Sequence, residues 1–314
     1  MRILILGGTI LTGPCVVRRL HSLGHDITVF HRGVHEAELP PGVRHLHGDL
    51  ALLPREVFDR APDVVVHMWA MTEMAAESFL ERFRGVARRA VVISSGDVYR
   101  AYGRLMGLES GPPDAIPLTE DAPLRESRYP YRKMAPNPDH WKAQYDKVLV
   151  EHVLVHQADL PTCVLRFPAV VGPKEYRRFQ RWLKPMLRGD MELRIQEGWA
   201  SWRWTHGFHE DVAEAVVLAV SNSSSAGRIY NVGEFYAPTM AERLAELARA
   251  ADWRGDIFEV PASELDETDR MPHNFSHHIA YDTTRVRTEL GYKEVIPHEI
   301  ALARTLEYER VSVR

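Results

Sequence analysis

Near its start the chain reads Gly7-Gly8-Thr9-Ile10-Leu11-Thr12-Gly13, with Pro14 at a position suited to a first helical turn. Between a strand and a helix, such a turn offers free backbone N–H groups and the positive end of a helix dipole. Glycine lets backbone approach a pyrophosphate closely, so a dinucleotide is the expected ligand. The second apolar run ends in Phe30-His31-Arg32-Gly33, with no acid to bond a ribose 2′-hydroxyl. Arginine suits a 2′-phosphate instead, so NADP is the expected cofactor and NAD the alternative. Asp97, just after the apolar run Ala90–Ser94, is a carboxylate placed to move a proton, or a turn-former after Gly96. The cluster Trp199-Ala-Ser-Trp202-Arg203-Trp204 fits stacking on a nucleotide or aromatic substrate, and fits interface packing equally well. Neither His277-His278 nor His206-x-x-His209 has partners at metal spacing, and no metal is expected.

The elements that must position these residues alternate β-branched runs with amphipathic stretches, the pattern of a doubly wound parallel sheet. Strands are predicted over Arg2–Leu6, Asp26–His31, Arg44–His47, Asp63–Met68, Ala90–Ser94 and Thr162–Phe167. Helices are predicted over Gly13–Leu23, Met71–Arg88 and Asp139–His156, the last with an apolar stripe of Trp141, Tyr145, Val148 and Leu149. Tyr99–Pro138 breaks the rhythm, and a long irregular segment is usually functional; its Tyr129 and Tyr131 are placed to reach a substrate. Residues 1–171 read as an α/β nucleotide-binding domain, with 211–232 rejoining its sheet. Residues 172–314 read mainly as a smaller substrate-binding domain.

Composition narrows the function class. The net charge of −4 gives no footprint for nucleic acid, and no apolar run approaches a membrane span. Two cysteines far apart exclude a disulfide scaffold, and no targeting segment stands out. The expectation is a cytoplasmic protein with a small-molecule substrate.

Seven segments in order give the chain a family resemblance. Besides the glycine turn these are His47-Gly48-Asp49-Leu50, Val66-His67-Met68-Trp69-Ala70, Ser94-Ser95-Gly96-Asp97-Val98-Tyr99, Leu165-Arg166-Phe167-Pro168 through Gly172-Pro173, Ile229-Tyr230-Asn231-Val232-Gly233 and Glu289-Leu290-Gly291-Tyr292. Together they resemble the extended short-chain dehydrogenase/reductases, the NAD-dependent epimerase/dehydratase family. The turn departs from that family's pattern in carrying Ile10 at the middle glycine. The resemblance implies a cofactor site of Gly7, Thr9, Ile10, Leu11, Gly13, His31, Arg32, Asp49, Leu50, Met68, Trp69, Lys147 and Phe167. It also implies Ser95 on the substrate oxygen, Lys147 on the nicotinamide ribose, and Tyr99, Tyr131 and Arg203 at the substrate, with a nucleotide sugar as one candidate. A homodimer is implied through the helices of 71–88 and 139–156.

One departure is central: the family's tyrosine four residues before the lysine is Ala143 here. Tyr145 is two residues before Lys147, on nearly the opposite face of a continuous helix. It therefore reads as a packed core residue unless the helix is distorted. Asp97 occupies the place where sugar-nucleotide dehydratases of the family carry a proton-abstracting glutamate, and it is the expected replacement acid/base. The reading is a dinucleotide-dependent epimerase, dehydratase or reductase with a non-standard acid/base; a dinucleotide-binding regulator that has lost the chemistry is the alternative.

Overall fold

The computed structural model describes residues 1–50, 52–175 and 178–313. Its strands are β1 (Arg2–Leu6), β2 (Asp26–His31), β3 (Arg44–His47), β4 (Val64–His67), β5 (Arg89–Ser95), β6 (Thr162–Phe167), β7 (Ala169–Val171), β8 (Glu192–Gln196), β9 (His206–Phe208), β10 (Ile229–Asn231) and β11 (Asp256–Val260). The helices are α1 (Thr12–Ser22), α2 (Glu73–Phe83), α3 (Arg100–Leu105), α4 (Trp141–Gln144), α5 (Lys147–Leu154), α6 (Gln180–Arg188), α7 (His209–Ser221), α8 (Met240–Ala250), α9 (Thr284–Leu290) and α10 (His298–Val313).

Seven strands form one parallel sheet in the order β10-β6-β5-β4-β1-β2-β3, and crossover helices cover both faces. Side chains alternate across a strand, so Ile3, Ile5, Val64, Val66, Val91 and Ile93 join the cluster that holds residues of α1 and α7. Their neighbours Leu4, Leu6, Val65, Ala90 and Val92 pack with α2 and α5 on the other face. Each fully buried valine contributes about 1.5–3 kcal/mol, which explains why β4 is apolar through Val64–Val66.

A second cluster, outside the sheet, contains Trp182, Trp199, Trp202, Leu244 and Ile279. Trp199 and Trp202 are 1% and 5% exposed, so these two tryptophans pack a core and present no face to a ligand. Strand pairs β8–β11 and β7–β9 belong to this second layer.

The largest difference from the sequence expectation is the predicted helix Asp139–His156, which is two helices. Tyr145 (φ −64°, ψ 123°) and Asp146 (φ −159°, ψ 107°) are extended between α4 and α5. Tyr145 pairs with Thr72 in an isolated bridge, and the Asp146 N–H donates to the Met71 carbonyl at 3.2 Å. The Asp146 carboxylate caps α5 through the Val148 N–H and accepts from the Arg125 guanidinium and the Tyr129 N–H. Arg125 and Asp146 side chains are both fully buried, so losing either strands a buried charge, at a cost of about 3–5 kcal/mol. These long-range partners outbid one more turn of helix.

Candidate active site

The glycine turn is built for close approach. Gly7 and Gly8 adopt φ of +89° and +87°, and a Cβ on Gly13 would lie 2.4 Å from the Gly8 backbone. Leu11 caps α1 without a side-chain hydrogen bond, and the first turn holds no acid, so its N–H groups suit an anion. Ile10 is 56% exposed, which leaves the middle position of the turn without need of glycine. Thr9, Ile10 and Leu11 line a groove with Pro14, Arg18 and Lys174.

A neighbouring groove brings Arg32, Asp49, Leu50 and Trp69 together with Trp141. Turn and strand meet here, since a Cβ on Gly7 would sit 3.3 Å from Met68 and 3.9 Å from Trp69. Phe167 ends β6 in register with Ser95 of β5, at the carboxyl edge where such sheets bind ligands. These residues fit a dinucleotide laid across the edge. His31 departs from the implied set: it is 4% exposed, and its ring sits among His45 and His47.

Beside the grooves lies a cluster of proton-bearing groups. Ser95 caps the short turn Gly96–Val98 by accepting from the Asp97 N–H, which fixes the Asp97 side chain over the end of β5. Asp97 Oδ2 accepts from the Tyr145 hydroxyl at 2.7 Å and the Tyr131 hydroxyl at 3.0 Å. Tyr131 and Tyr102 share a further bond of 2.7 Å. Asp97 Oδ1 is buried and has no hydrogen-bond partner among the described residues.

Burial pushes Asp97 above the usual carboxylate value, against the Tyr145 bond, the charge of Arg125, the Tyr131 bond and the charge of Lys147. Tyr145 is held well above a phenol's ordinary value, first by burial and then by the charge of Asp97. Lys147 Nζ donates to the carbonyls of Ala70 and Ile93 at 2.6 and 2.8 Å, and burial pushes it down to about 8. Its Nζ stands 6.0 Å from the centre of the Tyr145 ring.

The helix break is what admits Tyr145. On a continuous helix two residues apart would face opposite ways; the extended pair 145–146 removes that constraint. Tyr145 is 6% exposed, as expected of a packed residue, and its hydroxyl also donates to Asp97, a contact that the distorted-helix alternative allows. Trp141 meets it edge-on and Tyr131 at a tilt, at 5.6 and 4.9 Å between ring centres, and Trp69 meets Trp141 edge-on at 5.8 Å. An aromatic wall thus runs from the groove to the buried carboxylate.

Two residues implied at the substrate lie elsewhere. Tyr99 is fully buried, and its hydroxyl joins Asn231 and Arg166 in the interior. Arg203 Nη1 donates to the Tyr236 hydroxyl and the Ala237 carbonyl, within the second layer. Tyr129 lies under the Arg132 guanidinium at 3.8 Å, with its N–H on Asp146. Sequence reasoning missed Tyr102, Arg125, Asp146 and Arg178. Arg178 stacks over Trp204 at 4.8 Å, and its charge acts on Tyr131 and Tyr102. No spacing signal marks these four, because they converge from α3 and from separate loops.

A parallel sheet whose first turn is glycine-rich, with a tyrosine, a carboxylate and a lysine at the same edge, has the architecture of a dinucleotide-binding fold. The chain belongs to the NAD dependent epimerase/dehydratase family, whose pattern it matches over residues 3–233. It is 27% identical over 313 residues to a Streptomyces 3-diazoavenalumate denitrifying reductase, covering 95% of this chain and 97% of that one. Among solved structures it resembles an epimerase from Methanothermobacter thermautotrophicus (18% identity, 98% of this chain and 91% of that chain, TM-score 0.72). A UDP-glucuronic acid 4-epimerase from Bacillus cereus, bound to UDP-glucuronic acid and NAD, is similar at 17% identity over 99% of this chain and all of that chain, with TM-score 0.72. No helix of the described residues is long and apolar enough to cross a membrane.

Proposed function

We propose that the protein is a dinucleotide-dependent reductase of a small unsaturated or keto substrate, with Tyr145 and Asp97 replacing the tyrosine absent at Ala143. The observation that carries this reading is the Tyr145 hydroxyl bonded to a buried Asp97 whose second oxygen has no partner among the described residues. An epimerase or dehydratase begins by taking a proton from a hydroxyl and needs a tyrosine made acidic by its lysine. Here Lys147 is engaged by two carbonyls, while burial and Asp97 hold the Tyr145 proton in place. Tyr145 is therefore a proton donor, which is what reduction requires. The proton that Tyr145 gives up is replaced from solvent, relayed through Asp97 and the hydroxyl chain of Tyr131 and Tyr102 that extends from it.

The dinucleotide, when bound, supplies hydride chemistry. Gly7, Thr9, Ile10, Leu11 and Gly13 would hold its pyrophosphate, Asp49, Leu50, Met68 and Trp69 its adenosine side, and Lys147, Ser95 and Phe167 the catalytic end. Arg32 on the groove, with no acid at the end of β2, supports NADP over NAD. The Streptomyces relative, itself named a reductase, supports the reductive direction. Arg203 is already bonded to Tyr236 and Ala237, which favours a small substrate over a nucleotide sugar; Arg178 would meet an anionic group. A homodimer through α2 and α5 completes the reading, with light scattering giving twice 35.9 kDa.

The test is transfer of deuterium from 4-deuterated reduced dinucleotide into product, over a panel of small keto and unsaturated acids and of UDP-sugars. Label in a reduced small product supports the proposal; epimerised UDP-sugar with no net oxidation sinks it. NADP should bind more tightly than NAD, and Arg32→Ala should erase the difference.

A further inference from the structure

At the carboxyl ends of β2 and β3 the fold gathers His31, Glu36, His45 and His47. Alternation puts His45 and His47 on one face of β3, and the parallel register pairs His31 with His47. Three imidazoles therefore share one face of the sheet edge. The chain after β2 turns back at Gly33 (φ +72°), where a Cβ would lie 3.3 Å from the His47 ring, and this brings Glu36 over them.

One ligand atom from each of the four lies within 4.8 Å of all the others. His47 Nε2 is 2.9 Å from Glu36 Oε1, and His31 Nε2 is 3.4 Å from His45 Nδ1. Glu36 Oε2 is 3.8 Å from His31 Nε2 and 3.9 Å from His45 Nδ1. A tetrahedral ion with bonds of roughly 2.0–2.1 Å holds its ligands about 3.4 Å apart, so small shifts would close this set around one ion. We propose that His31, Glu36, His45 and His47 bind a divalent transition ion of the zinc type, which pins the 32–43 loop to the sheet edge beside the dinucleotide grooves.

Three nitrogens and one carboxylate oxygen suit zinc, cobalt or nickel rather than magnesium or calcium. The four are not equal. His31 Nδ1 accepts from the Gly33 N–H at 3.2 Å, which in the neutral ring puts the proton on Nε2, facing the other ligands. An ion would take that proton's place at the expense of the Gly33 bond, so His31 is the weakest ligand and Glu36, His45 and His47 carry the affinity. Glu36 also lines the groove of Thr9, Ile10 and Leu11, so ion and dinucleotide would affect each other's binding equally.

Spacing marks only the pair His45-x-His47; strand register and a loop bring His31 and Glu36 to it. The experiment is calorimetric titration of chelator-treated, full-length protein with Zn²⁺, repeated with Co²⁺ while recording visible absorption. One equivalent should bind, with the absorption of a tetrahedral cobalt site. Glu36→Gln and His47→Ala, at side chains 59% and 52% exposed, should keep the thermal transition and weaken binding by at least about 10-fold. His31→Ala should weaken it less than His47→Ala. Absence of binding, or an equivalent held undiminished by both exposed variants, would overturn the site.

Discussion

Two buried carboxylates stand at the same edge of the sheet and are treated in opposite ways. Glu151 on α5, 3% exposed, is saturated: Arg166 bonds both of its oxygens, at 2.7–3.3 Å, and Ser94 donates to Oε1. Arg166 passes its remaining donors to Tyr99 and Glu120. The carboxylate of Asp97, 4% exposed, has among the described residues no cation in hydrogen-bond contact; two tyrosines share one oxygen and the other is bare. A buried charge with every lone pair satisfied holds elements together. One left short of partners carries a desolvation cost that folding alone does not explain, and such strain gathers where chemistry is done.

If this contrast is right, mutations should separate activity from stability. Asp97→Asn should have the largest effect, a turnover loss of about 10²–10⁴-fold with dinucleotide affinity nearly unchanged, measured by steady-state rates and calorimetry. Glu151→Gln should do the reverse. Removing one partner of a buried pair costs about 3–5 kcal/mol in denaturant melts, while the folded fraction keeps its rate per active site. Equal rate losses in the two variants would break the comparison.

Tyr145→Phe sharpens it. Removing the hydroxyl of the proposed proton donor should lower turnover about 10²-fold, the low end for loss of a general acid because the Asp97 carboxylate remains. A variant that melts earlier but turns over normally would return Tyr145 to a packing role.

The smallest effect is in pH. The folded-state value of Asp97 lies above its ordinary 3.8 because of burial, so the group favours the folded state below that value. That contribution is lost as pH rises through the folded-state value. Asparagine has no such titration, so the stability of Asp97→Asn relative to the parent should rise with pH across that window and then level off. A pH-independent difference in melting temperature would mean that Asp97 is not desolvated.

Much of this arrangement was legible before any coordinates. The sheet strands and the turn at Gly7–Gly13 follow from local pattern, and the family resemblance singles out Ser95 and Lys147. Apolar alternation and glycine placement act over a few residues, and a parallel sheet leaves few ways to wind them. The acid/base group was half legible. Asp97 is marked by its place after β5, but whether Tyr145 reaches it was open, because its stripe fits a continuous helix equally well.

What the sequence by itself determined is the parallel sheet and the glycine turn at its carboxyl edge, since each is encoded by neighbours in the chain. Tertiary structure alone decided which tyrosine meets Asp97. The break at 145–146 depends on Arg125, Tyr129, Met71 and Thr72, which are up to 75 residues away (146 minus 71). Tertiary structure alone also joined His31 to His45 and His47, through strand register. Local propensity cannot specify either contact, because each is stabilised by groups that become neighbours only when the sheet has formed.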